Sequence, residues 1–500
     1  MAVRSGAPER PRSSFYVLAV VTVAAVAAIS VGACTDGGAK EPDPTGPTTT
    51  PVGSVRLSIQ AATLAKGQTF KFDATPLDAS GSALAGRSVT WSVADPGKGS
   101  IDGAGNVTGL AAGSTTVTAT SEGKSANATV SVLAFATIQP GMLKTCALTT
   151  SGVLYCAGND TNGLARPEGG AIRFNDISSH SEPEGSTVAH YCGLTSDGTA
   201  YCWGTNGFGE LGTGDTNSRG TPTAVAGGLK FQSITPGQHH TCAISTAGDA
   251  YCWGEGASGV IGNGGTVSSS QPVAVSGVPK FTQIESGNFH VCALAVDGQA
   301  WCWGRNHLAQ LGRGSSGDPV AIPAPVAGSV RFRSLGIKWT WSCGLTALGA
   351  AHCWGDNTLG QVGSTTTNVC DGDKPCAFSP SPVAGNLTFS SIAASQFSTC
   401  GIGTDGQVYC WGGDMQNQFG AATPPSGCGV SGFAFGCTNV PTRGPSGYST
   451  LRGSPRNYCG LTDGVARCWG GNNIKQIGNP AVTVMTSTPV VFSIDPASAP

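Results

Sequence analysis

Nineteen cysteines in 500 residues are the first side chains to question, because a thiol can bind metal, act as a nucleophile or pair as a disulfide. Fourteen of them fall into local pairs: Cys146/Cys156, Cys192/Cys202, Cys242/Cys252, Cys292/Cys302, Cys343/Cys353, Cys400/Cys410 and Cys459/Cys468. No close Cys-x-x-Cys pair or histidine at zinc-type spacing accompanies them, which speaks against a metal centre. Hairpin geometry accounts for the spacing. If Cys242 and Cys252 face each other on antiparallel strands, Thr246-Ala247-Gly248 is left as a three-residue loop whose last position needs positive φ. Glycine stands there in six copies: Gly152, Gly198, Gly248, Gly298, Gly349 and Gly406. In the seventh the spacing shrinks by one residue and Asp463-Gly464 offers a two-residue type I′ turn, so the register is kept. Opposed antiparallel residues, with Cα atoms roughly 4.5 to 5.5 Å apart, lie within the window of a disulfide. The sequence therefore predicts seven cross-strand bridges, with free buried thiols and metal ligands as the alternatives. Cys370/Cys376 and Cys428/Cys437 form two further local pairs, and Cys34 is left over.

Other residue types offer less chemistry. His190, His240 and His290 each stand two residues before the first cysteine of a pair, and a ring of imidazoles could bind metal or act as bases. The same position holds Lys144, Trp341, Ser398 and Asn457 elsewhere, so a structural role is expected. Asp197, Asp297, Asp405 and Asp463 precede turn glycines and read as turn formers. No Gly-x-Ser-x-Gly, phosphate-binding loop or His-Glu-x-x-His occurs. The sequence predicts no catalytic residues, no metal and no cofactor. Charged residues are only 11% and the net charge is −2, with no basic cluster, which excludes a nucleic-acid footprint.

These residues sit on a repeat. In Phe231–Gly262 (FQSITPGQHHTCAISTAGDAYCWGEGASGVIG), Phe-x-x-Ile precedes the first cysteine, the second lies in Tyr-Cys-Trp-Gly, and a Gly-x-Leu-Gly variant follows. The second cysteines recur about every 46 to 58 residues, the range of propeller blades. Phe135, Phe174, Phe231, Phe281, Phe332, Phe389 and Tyr448 head one strand per repeat and are expected to pack between blades. Trp203, Trp253, Trp303, Trp354, Trp411 and Trp469 share one position and read as core. Repeat one carries Ala157 there and lacks a clear Gly-x-Leu-Gly.

Six copies of Cys-Trp-Gly, the asparagines Asn206, Asn306 and Asn357 in Trp-Gly-x-Asn, and the Gly-x-Leu-Gly resemble the repeats of the regulator of chromosome condensation family. The resemblance implies an all-β fold with a seven-bladed β-propeller over 134–500. The cysteines are a departure, similar to secreted bacterial forms, since disulfides persist in oxidising compartments. Residues 53–133 alternate β-branched and polar residues in short runs and read as a β-sandwich. The order Leu64-Ala-Lys-Gly67, Val89-Thr-Trp-Ser92, Gly105-Asn-Val-Thr-Gly109 and Thr116-Val-Thr-Ala119 resembles a bacterial Ig-like domain of group 2, used in surface proteins as stalk or adhesive module. Trp91 is expected in its core.

Upstream, Arg4, Arg10 and Arg12 precede an apolar run from Phe15 to Ala33 that ends at Cys34, the order of an export signal. Val31-Gly-Ala-Cys34 resembles a lipobox, which makes 1–34 a lipoprotein-type signal and Cys34 the lipidated residue; an uncleaved membrane anchor is the alternative. Residues 35–52 (TDGGAKEPDPTGPTTTPV) form a Pro/Thr-rich tether. Expected localisation is the bacterial cell envelope.

Two insertions break the repeat. One, between Gly363 and Ser379, holds Cys370, Asp371, Asp373, Lys374 and Cys376; its acidic tip could offer oxygens to calcium but reads first as a solvated turn. The other, between Gly420 and Val440, holds Cys428, Phe433, Phe435 and Cys437. Both are candidate binding loops, expected side by side on one face. The Pro-containing segment Thr488–Ile494 is expected to pair into the first blade and close the ring. Three function classes remain. The preferred one is an envelope-anchored recognition or scaffold protein, monomeric, whose propeller face binds a protein or surface glycan. An extracytoplasmic enzyme acting on polysaccharide or peptide is the alternative. Guanine-nucleotide exchange, which the family resemblance implies, conflicts with export.

Overall fold

The structure is a computed structural model and describes residues 49–181, 189–420 and 436–498. Cys34, Cys428, Phe433 and Phe435 lie outside the described residues.

The chain alternates short strands and glycine-rich turns, and each run of four strands makes one antiparallel sheet in sequence order. Among the described residues seven such sheets follow one another from Phe135 to Val491; the fifth gains an extra strand. Their innermost strands are Phe135–Gln139, Phe174–Ser181, Phe231–Pro236, Phe281–Ser286, Phe332–Lys338, Phe389–Ala394 and Thr450–Gly453. Each neighbours the next, and the last neighbours the first, so the ring is closed.

In each blade the innermost and third strands run from one end of the ring to the other, and the second and outermost strands run back. The loop after the innermost strand and the Gly-x-Leu-Gly loop therefore share one end, here the loop face. The cysteine-hairpin turns and the inter-blade connections share the opposite end, the turn face.

The repeated residues are the inter-blade packing. Leu194 and Leu211 of blade two form one core with Phe231, Ile234 and Trp253 of blade three; Ile244 and Ile261 do the same with Phe281 and Trp303 of blade four. Each tryptophan uses its one donor on the preceding blade, as a buried indole must. Trp253 donates to the Glu210 carbonyl (2.9 Å), Trp303 to Val260 (2.8 Å) and Trp411 to Gln361 (2.9 Å). A Cβ on Gly262 would stand 2.8 Å from the Trp303 indole nitrogen, so the closing glycine of Gly-x-Leu-Gly leaves room for the ring. The asparagine of Trp-Gly-x-Asn holds this loop: the Asn306 side chain accepts from the Leu311 amide (3.2 Å) and Asn357 from Val362 (3.0 Å).

The closure differs from the sequence expectation. Met485–Val491 pairs with Val465–Gly471 as the outermost strand of the last blade, and does not enter the first blade. The same holds for every Pro-containing strand: Ser269–Ala274 pairs with Ala250–Gly254 and completes the blade it follows. The reason is the missing N–H. An outermost strand has one unpaired edge, and that is where proline costs no ladder bond. Blade one is complete from its own residues, ending with Arg166–Glu168. The tail reaches it only by a short parallel bridge, Ala165 to Ile494, by the Arg166–Asp495 ion pair (2.9 Å) and by Phe492, which joins the core of Phe135, Ala157, Leu461 and Ile477.

Ahead of the ring, Ala61–Ala65, Lys124–Leu133, Gly113–Ser121 and Thr90–Val93 form one sheet, and Thr69–Lys71, Asn106–Gly109 and Gly99–Ile101 a second. Alternation along Gly113–Ser121 and Lys124–Leu133 puts Val117, Val130 and Val132 with Leu64 and Phe72 in the core; Trp91 packs against it half-buried. This sandwich is not a free stalk. Lys66 pairs with Asp463 in a turn of blade seven (2.5 Å), and the Thr63 amide donates to the Pro496 carbonyl (2.9 Å). Gln68 is buried at 6% exposure: its amide nitrogen donates to the Ile494 carbonyl (2.8 Å) and its oxygen accepts from the Ile494 amide (2.8 Å). The sandwich thus holds the tail on the turn face, at the seam of the last and first blades.

Candidate functional site

The paired cysteines lie on second and third strands, directly opposite one another. Cys242 and Cys252 are partners in register, with Cα atoms 4.1 Å apart and their sulfurs bonded. The same arrangement joins Cys146 to Cys156, Cys192 to Cys202 and Cys292 to Cys302. It also joins Cys343 to Cys353 and Cys400 to Cys410. Cys459 meets Cys468 across the shorter turn, where Asp463 and Gly464 both take positive φ.

In one respect these pairs differ from the sequence expectation. Their Cα atoms stand 4.0 to 4.1 Å apart, closer than the roughly 4.5 to 5.5 Å of opposed antiparallel residues. The second cysteines Cys156, Cys202, Cys302, Cys353 and Cys410, like their partners, are buried in the cores between blades. None of them lines either of the cavities described below. They hold the scaffold and take no part in a binding surface. With the bridge Cys370–Cys376, this number of disulfides places the chain outside the cytoplasm. No helix among the described residues is long and apolar enough to cross a membrane.

His190, His240 and His290 are fully buried. They do not converge on a metal: His190 Nε2 meets Thr241 Oγ1 (2.9 Å) and His290 Nε2 meets Ser342 Oγ (3.0 Å), in each case on the next blade. Trp341 reaches Thr399 Oγ1 (3.1 Å) from the same position. Burial pushes all three imidazoles down to about 3, so they are neutral, and His190 and His290 link neighbouring blades. Among the described residues no group of His, Cys, Asp and Glu is arranged to hold a metal.

The insertion of blade five is a hairpin. Asn368–Cys370 pairs with Lys374–Pro382 as a fifth strand, and its tip turns through Asp371 and Gly372, both at positive φ. Lys374 Nζ lies 2.6 Å from Asp371 Oδ2 and pulls that carboxyl below the usual range. Cys370 and Cys376 pack on Leu308 and Ala309 of blade four, and Val369 remains 54% exposed. The hairpin rises from the loop face.

Beside it lies a feature that the repeat pattern does not announce. The loops after the innermost strands carry His239, Phe289, Trp339 and Phe397, all half-buried. Phe208 lies tilted against His239 (centroids 4.6 Å), His239 lies 6.0 Å from Phe289, and Trp339 stacks 6.4 Å from Phe397. The Arg305 guanidinium sits 4.1 Å above the Phe289 ring. A cavity of about 280 Å³ opens between Phe289, Arg305, His307 and Trp339. Trp339 takes φ 46°, a left-handed conformation that is strained for a bulky residue and is held here by the tight Lys338–Trp341 turn. The sequence signal for this strip was the one or two residues before the position of His240, His290, Trp341 and Ser398, which vary from blade to blade.

Around the axis, every second residue of the innermost strands faces inward. Asp176, Glu285, Lys338 and Arg452 line one cavity of about 170 Å³ with Gln139, Ser178, Ser233, Thr235 and Gln283. Toward the loop face, Pro140, His180, Gln396, Ser454 and Pro455 are buried and cap it. Toward the turn face the lining includes exposed Thr282, and Asn175, Gln232, Ser390 and Ser449 are exposed at the matching positions of their blades. The axis is thus a well with one closed end.

The comparisons with known proteins match this architecture. Residues 51–132 match the bacterial Ig-like domain (group 2), and residues 197–244 and 247–294 match the regulator of chromosome condensation (RCC1) repeat. A second RCC1 repeat model matches residues 281–310 and 389–421. The chain thus carries a match to a group 2 bacterial Ig-like domain followed by matches to RCC1-type repeats on a propeller fold. Among solved structures, yeast RCC1 (Prp20) bound to Kap60 is similar at 19% identity with a TM-score of 0.56, covering 72% of this chain and 85% of that one. Prp20p from Saccharomyces cerevisiae gives 0.55 at 19% identity, over 72% and 87% of the two chains. Human WBSCR16 gives 0.52 at 16% identity, over 64% and 84%. These likenesses establish the fold.

Proposed function

We propose that this protein is an exported recognition protein, lipid-anchored at Cys34 on the bacterial envelope. Residues 1–34 serve as its export signal, 35–52 as its tether, 53–133 as its Ig-like domain and 134–500 as its seven-bladed propeller. It captures another protein on the loop face. The observation that carries this reading is the strip of half-buried aromatic rings with Arg305 laid on Phe289, because aromatics and arginine are the residues that anchor protein interfaces. Two further observations support it. Among the described residues the sandwich docks at the turn face and not on the loop face, and the blade-five hairpin brings Asp371, Asp373 and Lys374 beside the strip on a bridged, preorganised loop. The yeast relative, solved with Kap60 bound, is a precedent for a protein of this fold with a protein partner.

The test is capture from envelope extract by the intact chain against the variant Phe289→Ala/Arg305→Ala/Trp339→Ala. The reading expects a defined protein to be retained by the first and lost by the second at an unchanged melting temperature. Equal capture by both would place the contact elsewhere.

A further inference from the structure

Four charged side chains face one another in the axial well without forming a direct pair. Asp176 and Glu285 supply two carboxylates, Lys338 an ammonium and Arg452 a guanidinium, all on the lining of one cavity. Charge acts across the well: the Arg452 guanidinium favours ionised Asp176, and Arg452 and Lys338 favour ionised Glu285. No ion pair within 4.0 Å joins any two of them, and Asp176 Oδ1 accepts only from the Ile177 amide (2.9 Å). Glu285 accepts only from Gln283 Nε2 (3.0 Å), and Lys338 reaches only the Ser179 carbonyl (3.4 Å).

This is a costly arrangement for an empty channel. Charges withdrawn from water are retained when they pair or bind something. Burial raises the Asp176 and Glu285 carboxyls and lowers the Lys338 ammonium from their ordinary ranges, so the protein itself does not compensate them fully. A structural ion-pair network would have drawn the opposite charges together. Instead they stand apart across a cavity of about 170 Å³, many times the room that one water molecule needs. Arg452 is exposed to the open end, so the well is reachable from the turn face.

We propose that the axial well is a binding site for a small zwitterion, a molecule carrying one ammonium and one carboxylate group. The ligand's ammonium lies between Asp176 and Glu285, and its carboxylate between Lys338 and Arg452. Each group then makes charge-assisted hydrogen bonds that the protein leaves unmade, and these are the strong kind. Gln139, Ser178, Ser233 and Gln283 offer neutral donors and acceptors around it. A ligand with a single charge would satisfy one half of the site and leave the other half unpaired, so selection against it is built into the geometry. The site is separate from the aromatic strip, since His180, Gln396 and Pro455 close the well on that side.

Titration calorimetry of the intact chain with L-alanine, 4-aminobutyrate, propionate and ethylammonium tests this. At least one of the two zwitterions should bind with one-to-one stoichiometry, and propionate and ethylammonium should not. Lys338→Met and Glu285→Gln should each weaken that binding by roughly tenfold to a hundredfold, the worth of one hydrogen bond to a charged group. The wild-type panel decides the matter even if a variant misfolds. Absence of binding by both zwitterions, equal binding of propionate, or a sodium chloride titration that raises the melting temperature as much as the zwitterion would overturn the proposal.

Discussion

The Phe492 ring stands edge-on to Phe135 with centroids 5.6 Å apart, in the place that a tryptophan takes in the other six blades. There the head aromatic meets a tryptophan of its own blade: Phe174 meets Trp203 at 5.8 Å, Phe332 meets Trp354 at 5.7 Å and Phe389 meets Trp411 at 5.6 Å. Blade one has Ala157 instead, fully buried in the same core as Phe492. A methyl group on Gly478 would run into Phe492, just as one on Gly363 would meet Trp411. The ring is therefore closed by a side chain from the tail that replaces a missing core residue, and only secondarily by backbone pairing. Phe492→Ala should cost about 3 to 5 kcal/mol, the range for removing a buried phenylalanine. Removal of the chain from Thr488 onward should cost more. Denaturant unfolding checks both; a midpoint unchanged by Phe492→Ala would refute closure by this ring.

Gln68 couples the sandwich to that same tail. Its amide satisfies both backbone groups of Ile494 at once, and a buried backbone group left without a partner costs about 1 to 3 kcal/mol. Gln68→Ala should therefore lower the melting temperature, and it should do so in a particular way. The wild type is expected to melt as one cooperative unit, because the sandwich and the ring share the tail. In the variant the sandwich transition should separate from that of the propeller in calorimetry. A single transition at the original temperature would show that Lys66–Asp463 and the Thr63–Pro496 bond suffice.

Acid and neutral pH should act on two different groups. Asp414 occupies the asparagine position of blade six, where it accepts from the Phe419 amide (3.2 Å). Burial raises its carboxyl from 3.8 to about 6, against the lowering effect of the Phe419 and Gln418 amides. Its folded value lies above its unfolded one, so its contribution is fully present below pH 3.8 and is lost as pH rises through about 6. Asp414→Asn should remove that loss, gaining up to ~3 kcal/mol at neutral pH and little at about pH 4. The three histidines run the other way. They titrate near 3 when folded against 6.5 when free, so stability falls as pH drops from 6.5 toward 3. Denaturant midpoints across this range should pass through a maximum that shifts upward in Asp414→Asn. Parallel curves for both proteins would contradict it.

What could be read from the sequence was whatever every blade needs. Trp253 and its counterparts recur because each blade must lay one indole on the carbonyl of its neighbour, and Gly248 recurs because that turn needs positive φ. The phase of the outermost strand was misread because a Pro-containing run after Gly-x-Leu-Gly fits either neighbouring blade by pattern alone. Only the edge position of proline decides it. Phe492 was hidden because it compensates for Ala157 from 335 positions away in sequence. The axial charges and the aromatic strip were not legible as a group, since each of their residues occurs once. Gln283 and Glu285 alternate with buried Ile284 on one innermost strand, and that alternation was the available clue to the well.

His240 exposes a gap in the girdle of histidine contacts. His190 has Thr241 and His290 has Ser342 as hydroxyl partner on the next blade, but the corresponding residue facing His240 is Val291. Both ring nitrogens of His240 are buried without a partner, and Val291 is fully buried in the core between blades three and four. The two complete links also show what the missing hydroxyl would do: Thr241 Oγ1 donates to the Glu210 carbonyl (2.8 Å) and Ser342 Oγ to Gln310 (3.1 Å). In blade three the matching carbonyl is that of Val260, which already accepts from Trp303 (2.8 Å) and has a second lone pair. Val291→Thr replaces a methyl by a hydroxyl that donates to Val260 and accepts from His240 Nε2. It should stabilise the protein by about 1 kcal/mol, the net worth of a satisfied buried hydrogen bond, although the same substitution in an apolar core ordinarily destabilises. The opposite signs make the measurement decisive. A double-mutant cycle with His240→Phe isolates the pair: the gain from Val291→Thr should vanish when His240 is absent, and a gain that survived would have to come from the Val260 carbonyl alone.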